Sequence, residues 1–404
     1  MIKSRIAFPL ALILLLVSCG GGGDSADEPA PVSKTPEPKP DTFATEMREG
    51  VPHIHNTGAL WGDYPDIRLE PVRTIGGPDS RDSGTAFYKP ADIALDGEGN
   101  LYVLDAGNHR ILKMDPDGGL IASFGRKGQG PGELQFPDGL AVGPGGKIYV
   151  SDKGSNNVKI LDPLGHEAVA LPAGGAAGRL ILLSTGDLVC PWRSGDSPAP
   201  AIRFDRSGKP VSTYGEFESQ ADWDRFRFFN RVFLAGDGSD NVYVAWGTRN
   251  RIEKYSIGGE LILSMDRPIN FPESTEIKKE PHKFGARTIP IPMVNHVTAD
   301  ITVDSSNRIW VLSYDRQLKF EEMGLTMHFK DGEGRYEGEE TLKASEEEEL
   351  DAFAFHLFDP EGRFLGALPI PHHAGVVKIF QDRLYILEAR HRMVVYRYRI
   401  LETG

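Results

Sequence analysis

The side chains of this sequence best suited to chemistry are a few histidines and the polar residues near them. His296, His372 and His373, with Asp138, Lys89, Arg179, Asn230 and Arg231, stand just before or at the start of apolar runs that recur along the chain. Three imidazoles and a carboxylate can hold a divalent metal ion, Ca or Zn, in an N/O shell. Such an ion would lower the pKa of a bound water and open a route to hydrolysis or lyase chemistry. The plainer reading puts His372 and His373 in a solvent-exposed Pro-His-His-Ala turn and packs His296 beside Asn295. Asp138, Arg179, Asn230, Arg231, His296, His372 and His373 are thus candidate binding residues. His296, His372 and His373 are the ligands if a metal is bound, and no catalytic residue is assigned.

Other reactive groups read as scaffold. His53 and His55 form a His-x-His pair that supplies at most half a metal site, and both read as exposed loop residues. His109 has Asn156 at the matching place 47 residues on, and Asp105 and Asp152 recur in the same way, so these, with Arg110, shape loops. Cys190, in a strand-like LVC run, reads as a buried small apolar residue. Trp192 and Trp246 end matching runs and are expected to pack between repeats, while the aromatic cluster at 223–229 can cover an opening. The glycines at 125, 128, 130 and 132 serve turns. No Asp-x-Asp calcium loop, nucleophile elbow or phosphate-cradling loop is present.

The elements that must position these residues come from a repeat. Residues 90–118 match residues 137–165 without a gap, placing Pro90 on Pro137, Tyr102 on Tyr149 and Asp105 on Asp152. Each copy holds four short apolar or alternating runs separated by turns, which predicts one four-stranded antiparallel sheet. A lone twisted sheet leaves both faces open, so copies must stack, and radial stacking into a propeller also protects strand edges. The second strand recurs six times, as LYVLD (101–105), IYVSD (148–152), LVCPW (188–192), VYVAW (242–246), IWVLS (309–313) and LYILE (384–388). Only five outer strands follow them, and VRTIG (72–76) echoes that outer strand. The prediction is an all-β, six-bladed β-propeller whose last blade is closed by an N-terminal strand. Two insertions interrupt it. Residues 266–295 contain five prolines, which argue against a continuous helix, and 316–351 carry an acidic run at 346–349. The second insertion is expected to extend as a hairpin and then include a short helix.

The N-terminus has a cationic head, an apolar core at 6–17 and a small-residue end, which read as a signal peptide over 1–18. Its LVSC ending (16–19) resembles a bacterial lipoprotein box, which implies cleavage before Cys19 and lipidation of its thiol. Residues 19–45, rich in Gly and Pro, form a solvated tether, and 46–404 the propeller domain. Gly20 after the lipidated position resembles lipoproteins sorted to the outer membrane, so the expected location is extracytoplasmic and lipid-anchored to the cell envelope. The net charge of −13 is the wrong sign for a nucleic-acid partner.

DAGNHRI (105–111) and the linker FGRKGQGPGELQFP (124–137) make the two clear copies resemble NHL repeats, with partial echoes at GTRNRI (247–252) and ARHRM (389–393). NTGALWG (56–62), followed by residues 67–76, is similar to the opening of secreted six-bladed bacterial propeller lipoproteins. The resemblance implies a six-bladed propeller, a fold shared by binding scaffolds and enzymes. NHL-type amidating lyases and streptogramin lyases need His and acidic residues on particular blades, and the inner-strand starts of blades 1 to 4 here contain no histidine. The expected function is therefore a membrane-anchored propeller that binds a protein, peptide or glycan without catalysis. The alternative is a metal-assisted lyase or hydrolase at the channel mouth.

Overall fold

A computed structural model describes residues 42–402 except 63–64, 78–83, 172–177, 193–198, 218–227, 285–286, 324–325, 331–335 and 342–349. The expected signal, Cys19, most of the tether, Trp223, Phe226 and the acidic run at 346–349 lie outside the described residues.

Six four-stranded antiparallel blades form the body, at residues 92–124, 137–171, 181–214, 232–265, 298–370 and 376–402, the last completed by Ile67–Gly76. In blades 1 to 5 the four strands run outward in chain order, and each inner strand touches those of its two neighbours, so blades 1 to 6 close a ring. The second strands of blades 1, 2 and 4 are buried at every residue. A neighbouring blade covers each of their faces, so strict alternation of apolar and polar residues is lost. The outer strands of blades 1 and 3 instead expose most of their residues.

Six hydrophobic clusters fill the six interfaces between consecutive blades. Each fully buried aliphatic or aromatic side chain there contributes about 1.5–3 kcal/mol. Trp246 lies between blades 3 and 4 and Trp192 packs between blades 2 and 3, as expected. Cys190 is buried, and burial pushes its thiol up to about 12, so it is inert. The third-to-outer turns share one device. Asp115, Asp162, Asp205 and Asp359 each accept the backbone N–H groups two and four residues on. Gly118, Gly165, Gly208 and Gly362 then take the left-handed φ of about 85° that closes the turn.

The closing strand behaves as expected: Ile67–Gly76 pairs antiparallel with Val394–Glu402. The segment before it does not. Phe43–Arg48 and Val51–Asn56 form a hairpin whose second strand pairs in parallel with Leu261–Met265, extending blade 4 to six strands. His53 and His55 are thus strand residues and not loop residues, because the edge of blade 4 offers unpaired backbone groups for this segment to take up. Both insertions carry strands of their own. The first folds as a hairpin, Lys278–Phe284 with Arg287–Met293. In the second, a short 3-10 turn at Phe320–Glu322 precedes the hairpin Thr326–Lys330 with Tyr336–Thr341, and the stretch after the hairpin, 342–349, where a short helix was expected, lies outside the described residues. That turn is fixed by Arg316, which pairs with Glu322 at 2.7 Å and with Asp351 at 2.5 Å.

Candidate functional site

Inner strands begin on one face of the ring, together with the loops between second and third strands. Two of these strands carry the same short signature, Ala91-Asp92-Ile93 in blade 1 and Ala299-Asp300-Ile301 in blade 5. Each aspartate reaches to the next blade: Asp92 Oδ2 accepts the Leu140 N–H at 2.8 Å and Asp300 Oδ2 accepts the Val377 N–H at 2.7 Å. Both are buried, and burial raises the Asp92 carboxyl to about 6 even with Lys378 and Arg179 pulling it down.

Arg179 enters from blade 3. Its Nη1 lies 2.6 Å from Asp300 Oδ1 in blade 5, its Nη2 donates to the Gly375 carbonyl at the start of blade 6, and its guanidinium sits 5.5 Å from the Phe233 ring in blade 4. Blades 3 and 6 are opposite in a six-membered ring, so this side chain bars the channel. A charge so placed is tolerable only because it is paired and hydrogen-bonded.

The other expected residues fall into separate settings. Asp138 accepts from Ser151 Oγ at 2.5 Å and pairs with Lys153 at 2.5 Å. Lys89 has its ammonium 5.3 Å from the Tyr88 ring, and its φ is left-handed, at 47°. Asn230 is buried, whereas Arg231 is exposed and lies 4.9 Å from the Phe233 ring. His372 is half-buried and stacked on Tyr396 at 3.9 Å. Its Nδ1 is 2.9 Å from the His373 carbonyl, which can only accept, so Nδ1 carries the proton. Nε2, 2.7 Å from the Tyr398 hydroxyl, then accepts. With both nitrogens engaged, His372 cannot join His296 and His373 in a ligand set. Among the described residues no three His, Cys, Asp or Glu side chains lie close enough to share a metal ion.

Instead, His296 and His373 belong to a row of rings along blades 5 and 6. Centroids run from His296 to Tyr314 at 5.6 Å, to Phe353 at 4.9 Å, to His373 at 6.1 Å and to His391 at 4.2 Å. Phe353 is buried and anchors the row, while the other four residues are partly buried. His296 is held at both ends of its peptide by Gln317, which accepts its N–H and donates to its carbonyl, each at 2.8 Å. Burial, with Arg231 and Arg390 nearby, depresses His296 to about 4; burial and His391 depress His373 to about 4. Both are neutral at pH 7.

The insertions border this row. Arg390 donates to the Met323 carbonyl at 2.8 Å, and His282 of the first insertion stacks on Phe320 of the second at 3.5 Å. Sequence reasoning missed Tyr314, Phe353 and His391, and it missed Asp92 and Asp300 despite the repeated Ala-Asp-Ile.

His109 ends its loop in the left-handed region (φ 54°), and Asn156 (56°) and Met393 (54°) repeat that conformation in blades 2 and 6. Asp105, which bonds Arg110 Nε and the Tyr88 N–H at 2.7 Å, has its counterparts in Asp152 and Glu388. These are loop supports. At the outer end of blade 4, His55 Nδ1 lies 2.8 Å from Asp266 in a cleft of about 320 Å³ that also holds His53.

Residues 87–114 and 134–161 match the NHL repeat model. No curated protein sequence matches the chain. A member of the DUF4221 family from Bacteroides vulgatus superposes with a TM-score of 0.52 at 10% identity, covering 83% of this chain and 99% of its own. Virginiamycin B lyase from Staphylococcus aureus, with quinupristin, is similar at a TM-score of 0.45 and 11% identity over 77% of this chain and 80% of its own. A gluconolactonase from Xanthomonas campestris gives 0.45 at 14% identity over 78% and 87%. Identities this low speak to the propeller fold alone.

Proposed function

We propose that this propeller is a binding module that takes a peptide or glycan across the face where its inner strands begin, held at a membrane surface by a lipid on Cys19. The observation that carries the reading is the row of rings from His296 to His391. Partly buried flat rings over a buried anchor present faces on which sugar rings or peptide side chains stack at small entropic cost. Arg231 and Arg390 flank the row and favour a ligand with acidic groups. With Arg179 across the channel, a ligand lies over this face and does not thread the ring. The LVSC sequence ending at Cys19 and the Gly/Pro-rich stretch after it support a tethered, extracytoplasmic setting.

The experiment is a screen of the mature protein against acidic peptides and envelope glycans, followed by calorimetry with Tyr314→Ala and His373→Ala. Each substitution should weaken binding about tenfold, the scale expected for one lost stacking contact. Saturable binding unchanged by both would put the site elsewhere.

Metal-assisted lyase or hydrolase chemistry is the second reading. It is favoured by one feature, that His296 and His373 are neutral and so have lone pairs to offer a metal or a proton. Elemental analysis of purified protein, with turnover tested in His296→Ala, separates the two readings.

A further inference from the structure

On the opposite face, the turn between inner and second strand carries a charge device in blades 1, 4 and 5 that blade 6 lacks. In blade 1 the turn aspartate Asp96 accepts from the Tyr102 hydroxyl at 3.3 Å and pairs with Lys113 at 3.4 Å. Blade 4 repeats it with Asp237, Tyr243 and Lys254 at 3.3 and 3.4 Å. In blade 5, Asp304 accepts from Trp310 Nε1 at 2.9 Å and pairs with Arg308 at 2.7 Å. These turns span five residues. In blade 6, Phe380 pairs directly with Arg383, so the turn is only Gln381-Asp382 and the buried carboxylate is gone.

The donors remain. Tyr385 has the register of Tyr102 and Tyr243, and Arg397 that of Lys113 and Lys254. Tyr385 is fully buried and its hydroxyl has no hydrogen-bond partner among the described residues. Arg397, itself buried, has only the exposed Asp117 of blade 1 at 3.5 Å as an ion-pair partner among them. The register also sets Arg383 opposite Arg399 and Arg73 opposite Arg397. Like charges directly opposite destabilise a sheet, and Glu70 at 3.4 Å from Arg399 and Asp382 at 4.0 Å from Arg383 offset this only from the exposed side. Arg383, Arg397 and Arg399 line a cleft of about 290 Å³ between blades 6 and 1, with Phe380 as an apolar wall and the exposed Glu98 and Asp117 at its edge.

We propose that this cleft binds a small organic oxyanion whose carboxylate or phosphate group stands in for the missing turn aspartate. The three guanidiniums that line the cleft supply charge-assisted donors. The cleft is several times the roughly 30 Å³ share of one water, which leaves room for a short organic group against Phe380. This site is independent of the ring row on the other face.

The test is calorimetric titration of the mature protein with inorganic phosphate and, separately, succinate at constant ionic strength, with chloride as control. Saturable binding of one or both is expected, and whichever binds identifies the head group. Arg383→Gln combined with Arg399→Gln removes two partly exposed side chains, so the fold should persist while affinity falls at least about tenfold. Absence of saturable binding by either anion, or binding undiminished in the double variant, overturns the proposal.

Discussion

Three imidazoles, those of His296, His356 and His373, are kept neutral mainly by burial. His296 and His373 are depressed to about 4 and His356, inside blade 5, to about 3, from an ordinary 6.5. Between pH 6.5 and 4 the unfolded chain therefore binds more protons at these sites than the folded one, and stability falls as pH falls through that window. Asp92 works in the other direction. Raised from 3.8 to about 6, it contributes stability at low pH that is lost as pH rises across that interval. Three histidines outweigh one aspartate, so the urea midpoint should drop between pH 7 and pH 4.5, and His373→Gln should flatten the drop. A midpoint that does not move with pH would show these rings to be solvated. Histidines are visible in any sequence, but their neutrality is not, since it depends on how much of each ring the neighbouring blade covers. The inter-blade aspartates left a trace in the sequence, a repeated Ala-Asp-Ile, but two copies four blades apart did not mark them as a site. Their partner Arg179 was named for its place before an inner strand, and its reach to blades 5 and 6 is a fact of ring geometry.

Among the elements, the N-terminal segment departs furthest from expectation. It extends blade 4, donates the Leu60 and Trp61 N–H groups to the Phe364 and Leu365 carbonyls of blade 5, and then closes blade 6. Gly366 lets Trp61 lie on blade 5, since a Cβ there would sit 2.6 Å from the indole. Asn56 holds the crossing: its side chain donates to the Asp266 and Gly362 carbonyls and accepts the Phe364 N–H at 2.8 Å. Asn56→Ala strands these buried groups and should cost about 2 kcal/mol. Chemical denaturation measures it, and a cost below about 0.5 kcal/mol would mean that the strap is dispensable. The closing strand was found by matching VRTIG to other outer strands. The hairpin at 43–56 has no counterpart in the repeat, so nothing in the sequence announced its parallel pairing.

For the molecule as a whole, the proposed localisation rests on Cys19. Cys19→Ser should abolish incorporation of a labelled fatty acid and move the protein from the membrane to the soluble fraction; labelling that persists in the variant would refute the anchor. The sequence by itself determined the six blades, their four-strand pattern and the N-terminal closure. These follow from local periodicity and turn chemistry repeated along the chain, and repetition makes weak signals additive. Only the tertiary structure decided what the blades bring together: the Arg179 bar, the row of rings from His296 to His391, the dispersal of the three expected metal ligands and the arginine cleft beside the shortened turn of blade 6. Each depends on side chains from different blades meeting across an interface or the channel, and separation along the sequence carries no record of that distance.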